Sequence, residues 1–121
     1  MTLPKTMTAI AITTPRGPDA LQPREVPMPV PRPGQLLVKV AAAGVNRPDV
    51  AQRAGSYPPP PGHSPIPGLE MAGTVVAAGE GVTRDKAGDQ VTALLNGGGY
   101  AEYAIAEQGA ALPVPKGLDM I

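Results

Sequence analysis

The sequence predicts a mainly β domain, a partly closed barrel of short strands with one or two short helices. Three observations lead there. Short apolar runs recur at spacings of roughly ten to twenty residues, the rhythm of small all-β folds. Glycine and proline, 15 and 17 of 121 residues, separate those runs instead of forming a repeat. Only one stretch, around Arg47 to Arg53, carries helix-start and helix-stop residues.

The elements follow in order. Met7 to Ile12 is apolar with partial alternation and reads as a strand, and Thr13 to Ala20, with Pro15, Gly17, Pro18 and Asp19, reads as a turn. Val26 to Pro33 has proline at Pro27, Pro29, Pro31 and Pro33, so it cannot donate to a central ladder and reads as an extended arm or edge. Gln35 to Ala43 is the clearest strand, stopped by Gly44. Asn46 or Arg47 caps a short helix with Pro48 in its first turn and Gly55 closing it. Tyr57 to Pro67 is a proline-rich loop. Met71 to Ala78, Gln90 to Leu95 and Tyr100 to Ile105 are further strands. Gly79 to Gly81 and Gly88-Asp89 are turns, and Asn96 to Gly99 is a flexible turn, bulge or hairpin. Leu112 to Leu118, with Pro113, Pro115 and Gly117, reads as a connector.

Length bounds the chain to one domain with a modest core. That core has no Phe or Trp to draw on and only three Tyr, so Val, Ala, Leu, Ile and Met must fill it. Ten basic and ten acidic residues cancel and are scattered, which leaves no electrostatic footprint for nucleic acid or an anionic membrane. No apolar run has membrane-spanning length. The first residues lack the apolar centre of a secretory signal, and a cytoplasmic location is expected. There is no Cys for a disulfide framework.

Few chemical motifs survive inspection. Gly79-Glu80-Gly81-Val82-Thr83-Arg84 begins like a phosphate-binding loop, but no helical pattern follows to meet a pyrophosphate, so it reads as a turn. A lone His63 and no Cys leave no soft-ligand metal site, and no nucleophile stands beside a base. A polar set remains: Asn46, Asp49, Arg53, Tyr57 and Glu70. Asn46 follows a strand end, where its amide either fixes a ligand or caps the helix; the two readings stand level. Asp49 suits the helix dipole. Tyr57 is either a ligand-facing phenol or loop packing, and Glu70 reads as an inward acid in an ion pair with a nearby Lys or Arg.

Gly44-Val45-Asn46, Arg53 to Tyr57 with its following prolines, Gly68-Leu69-Glu70-Met71-Ala72-Gly73, Gly88-Asp89 and Gly97 to Tyr103 stand in one order. That order, over about Met7 to Leu118, resembles the N-terminal catalytic domain of zinc-independent quinone oxidoreductases of the medium-chain dehydrogenase/reductase superfamily. The resemblance implies a GroES-like barrel over residues 1–121 and no Rossmann domain within them. It implies hydride transfer from NADPH to quinones or activated enones in a longer parent protein, and no cofactor held and no activity shown by these residues alone. It places Asn46 near the nicotinamide ribose and Tyr57 at the quinone pocket, and assigns no catalytic residue. Zinc-dependent relatives have Cys at Asn46 and His at Leu69, so the ligand chemistry here excludes a zinc Lewis acid. Ala51 stands where some relatives carry a second Tyr, and Asp85 where an aromatic is usual. An enoyl reductase is the nearest enzymatic alternative. A non-catalytic barrel that self-associates or binds a partner through exposed strand edges is the alternative outside enzymes, and a co-chaperonin-like ring subunit ranks below it.

Overall fold

The computed structural model describes residues 3–13, 18–55, 61–62 and 64–120. The expected turn at Thr13 to Ala20 lies partly outside them, and Tyr57 and His63 lie wholly outside.

Strand β1 (Thr6–Ile12) pairs antiparallel with β2 (Leu21–Pro27) in a separate two-stranded ribbon. A five-stranded antiparallel sheet holds β3 (Gln35–Ala43), β4 (Glu70–Ala78), β5 (Gln90–Leu94), β6 (Tyr103–Glu107) and β7 (Ala111–Pro113), in the spatial order β6-β3-β4-β5-β7. Helix α1 (Arg47–Ala54) fills the connection from β3 toward β4 and closes at Gly55, whose φ of 88° is the left-handed value of a helix C-cap. Among the described residues no parallel βαβ unit occurs.

The connection from β6 to β7 shows that this sheet is curled. These strands form its two outer edges, yet only the 3₁₀ turn Gln108–Ala110 joins them. A flat sheet would hold its first and fifth strands about 19 Å apart, at about 4.8 Å per strand. A 3₁₀ turn advances only about 2 Å per residue. The edges must therefore approach each other, and the sheet becomes a half-barrel, the GroES-like shape expected. The β1–β2 ribbon attaches to it through an Ala9–Ala101 bridge, with the Ile10 N–H donating to the Tyr100 carbonyl at 2.7 Å and the Glu102 N–H to that of Thr8 at 3.1 Å.

Period-two burial follows from the pleat. Met71 and Val75 of β4, Val91 and Ala93 of β5, and Ala104 and Ala106 of β6 point inward against Leu36 and Val38 of β3. The core is built from aliphatic residues, and alanines line much of it. Leu37 is buried as well, breaking the alternation beside an irregularity in the β3–β4 register at Leu37/Val38.

Three expectations need correction, and one strand, β2, has no counterpart among the expected elements. β2 is a strand although Pro23 and Pro27 interrupt it. Ile10 turns its N–H toward Tyr100, so Pro23 opposite it occupies a non-hydrogen-bonded position and its missing N–H faces the open edge. Leu112 and Pro113 are not a plain connector, because Ala111, Leu112 and Pro113 pair with Ala93, Thr92 and Val91. The strand expected at Tyr100 to Ile105 is displaced to Tyr103–Glu107, since Ala101 bridges β1 before the chain turns onto β3. Asn96 to Gly99 is not a hairpin: β5 and β6 are not neighbours, and the segment docks on residues 66–68.

Candidate functional site

The residues before and within α1 converge with the end of the Gly97–Tyr100 segment. Asn46 is extended, with φ −132° and ψ 159°, and sits at the helix N-cap. Its backbone N–H donates to Asp49 Oδ2 at 2.9 Å. The Asp49 N–H in turn donates to the Asn46 carbonyl at 3.0 Å. This reciprocal closure of the first turn occupies groups a helix start would otherwise leave to solvent or ligand.

Tyr100 adds a long-range contact. Its phenol donates to the same Asp49 Oδ2 at 2.6 Å. Asp49 is only 6 % exposed, and its Oδ1 is buried with no hydrogen-bond partner. Burial pushes the Tyr100 phenol up from its ordinary 10.0, and the hydrogen bond to Asp49 and the charge of that carboxylate push it the same way.

Backbone bonds fix Tyr100 in place. Its N–H donates to the Pro67 carbonyl at 3.0 Å, the Gly99 N–H to Gly68 at 3.1 Å and the Gly98 N–H to Ile66 at 2.7 Å. Gly68 has φ +108°, and a Cβ there would overlap the backbone of Gly99 and Tyr100. The helix joins the same cluster from the other side, where buried Gln52 donates through Nε2 to the Pro65 carbonyl at 3.0 Å.

Of the predicted polar set, Asn46 and Asp49 are brought together: Asn46 holds the N-cap position, while the two bonds described above run through its backbone and not its amide. Capping through the backbone leaves the ligand reading of its amide open. Arg53 stands on the last turn of α1. Glu70 is not paired with any Lys or Arg among the described residues; its side chain lies over Gly44, where a Cβ would overlap the carboxylate. Asp85, whose side chain is 9 % exposed, meets Arg84 at 3.4 Å. Sequence reasoning missed Tyr100, which reads there as one residue of an alternating strand. The available signal was a tyrosine directly after three glycines, since a phenol that becomes buried needs a polar partner.

Two cavities lie apart from Asn46 and Asp49. A space of about 540 Å³ opens between the β1–β2 ribbon and β6, lined by Met7, Val26, Val30, Leu94, Tyr103 and Ile105 among others. A shallower groove of about 440 Å³ borders Tyr100, Ala101 and residues 40–43. Asn46 and Asp49 line neither. The cluster around Asp49, unlike either cavity, gathers polar groups at a helix start. Among the described residues no group of three or more His, Cys, Asp or Glu is placed to hold a metal ion. No helix among them is long and apolar enough to cross a membrane.

Residues 32–116 match the model of the alcohol dehydrogenase GroES-like domain. The chain belongs to this family. A GroES-like domain of the kind, it is 41 % identical over 115 residues to a quinone oxidoreductase of Lama guanicoe, covering 93 % of this chain and 35 % of that protein. Its fold is similar to that of the quinone oxidoreductase from Coxiella burnetii, with a TM-score of 0.85, 26 % identity, and coverage of 97 % of this chain and 39 % of that one. It is also similar to a mycobacterial protein solved in complex with NADPH, with a TM-score of 0.82, 36 % identity, and coverage of 94 % and 34 %. The GroES-like chain thus spans about a third of the length of the relatives it matches.

Proposed function

We propose that residues 1–121 are the GroES-like catalytic-domain portion of an NADPH-dependent, zinc-independent quinone oxidoreductase. The observation that carries this reading is Asn46. It stands at the joint between β3 and α1 with its backbone locked by Asp49, in a domain whose relatives are quinone oxidoreductases. The NADPH complex of the mycobacterial relative supports the choice of cofactor.

The residues present fit one end of that cofactor only. α1 is the one α-helix among the described residues, and the Asp49 carboxylate already occupies its first turn. A negative charge there opposes a phosphate. The described residues thus offer no pyrophosphate cradle, whereas the Asn46 amide is partly exposed and suits a ribose hydroxyl or carboxamide. When bound, the nicotinamide supplies a hydride. The contribution of this chain is alignment: Asn46 orients the cofactor end, and the Tyr57 phenol donates a hydrogen bond to the quinone oxygen as it gains charge. Isolated, the chain neither retains NADPH nor reduces quinone. Asn46 and Leu69, at the positions where zinc relatives carry ligands, support a metal-free reaction, which a chelator leaves unaffected.

The test pairs an NADPH fluorescence titration of the 121-residue chain with a graft. In the graft the chain replaces the matched residues of the Lama guanicoe quinone oxidoreductase. The chain alone should give no saturable binding, and the graft should reduce quinone with NADPH. A folded graft without turnover overturns the reading.

A further inference from the structure

We propose that Tyr100 is a positioning residue for Asn46, acting through Asp49, so that residues 97–100 set the attitude of the helix start that presents the Asn46 amide. The proposal rests on the reading of Asn46 given above; the underlying clamp does not.

Two donors from distant parts of the chain meet on one carboxylate oxygen. The Asn46 N–H reaches Asp49 Oδ2 at 2.9 Å and the Tyr100 phenol reaches it at 2.6 Å. The second oxygen, Oδ1, is buried and receives no donor. The side-chain orientation of Asp49 is therefore held by these two bonds and by packing. An aspartate that served only the helix dipole would sit at the surface and use both oxygens with water. Burying it with one oxygen unsatisfied costs free energy, and the cost is accepted where a defined orientation results.

Tyr100 can transmit position because its own backbone is held on two sides. Its N–H is bonded to Pro67 and its carbonyl accepts from Ile10 at 2.7 Å. The phenol thus reaches Asp49 from a platform tied to β1 and to residues 66–68. Without the hydroxyl the carboxylate loses one of its two restraining bonds and is free to rotate, and the Asn46 peptide loses its fixed acceptor. A shift of an aligning group by about 1 Å can cost about a hundredfold in rate.

The test has two arms and one control. In the 121-residue chain, Tyr100→Phe should speed amide hydrogen exchange at Asn46 by about tenfold and move its ¹⁵N shift. In the graft, Tyr100→Phe should lower kcat by about tenfold or more while KM for the quinone holds. Arg84→Ala, which loosens a remote turn, should lower thermal stability yet leave the Asn46 shift and kcat unchanged. An unchanged Asn46 amide in Tyr100→Phe overturns the clamp. A moved amide with wild-type kcat in an active graft overturns the positioning role. An inactive wild-type graft counts against the functional reading instead, and the amide arm still decides the clamp.

Discussion

The Tyr100 phenol and the Asp49 carboxylate, 51 positions apart in sequence, share a hydrogen bond of 2.6 Å in which one Asp49 oxygen also receives the Asn46 N–H. It ties the start of α1 to residues that follow β5.

Removing the donor should be costly because the acceptor stays buried. Tyr100→Phe leaves Asp49 with a single donor, and a hydrogen bond to a charged group contributes about 1.5–3 kcal/mol. We expect urea unfolding of Tyr100→Phe to show a loss of this order. Asp49→Ala should lose at least as much, because it removes the acceptor of both donors. Equal midpoints for wild type and Tyr100→Phe would contradict the packing described.

Alkaline pH should erode the stability of the wild type more steeply than that of the variant. The Tyr100 phenol is held above its ordinary 10.0, so between that value and its folded value the native state keeps a proton that the unfolded chain has released. Stability therefore falls as pH rises above about 10. Below that pH the contribution is fully present. Tyr100→Phe should flatten this part of the curve relative to wild type, measured by denaturant midpoints from pH 8 to 11.

Gly68 is replaceable only at a cost. Its φ of +108° disfavours any side chain, and a Cβ would press on the backbone of Gly99 and Tyr100. Gly68→Ala should cost about 2 kcal/mol or more, from backbone strain and overpacking together. The change should also release the Tyr100 phenol, seen as a loss of its high titration by ultraviolet absorbance.

Arg84 tests the closure of the half-barrel. Its Nη2 donates to the carbonyls of Gln108 and Ala111, each at 2.6 Å, so one exposed side chain clips the turn joining the outer strands. Arg84→Ala should lower stability by about 1–2 kcal/mol. Arg84→Lys, with a single ammonium in place of the planar fork, should recover part of it. A thermal melt of the three proteins ranks them.

Much of the fold was legible because local chemistry was unambiguous. The Gln35–Ala43 and Glu70–Ala78 strands announce themselves by apolar runs between glycines, and α1 by Pro48 and Gly55. β2 and β7 were not legible, because proline in a strand is tolerated only where its missing N–H faces away from the partner, and that phase is set by pairing. The site was half legible. Asn46 and Asp49 belong to one local motif, whereas the sequence around Glu70 suggests an ion partner and its carboxylate lies over Gly44 with no Lys or Arg paired to it among the described residues.

By itself the sequence determined the class of fold, the place of the helix, the aliphatic character of the core and the lack of soft metal ligands, all properties of residues and their near neighbours. Only the tertiary structure decided that β6 and β7, the outer strands of one sheet, curl toward each other, and that Tyr100 meets Asp49. Both are contacts between segments far apart along the chain. Their geometry follows from strand order and twist, which no local pattern encodes.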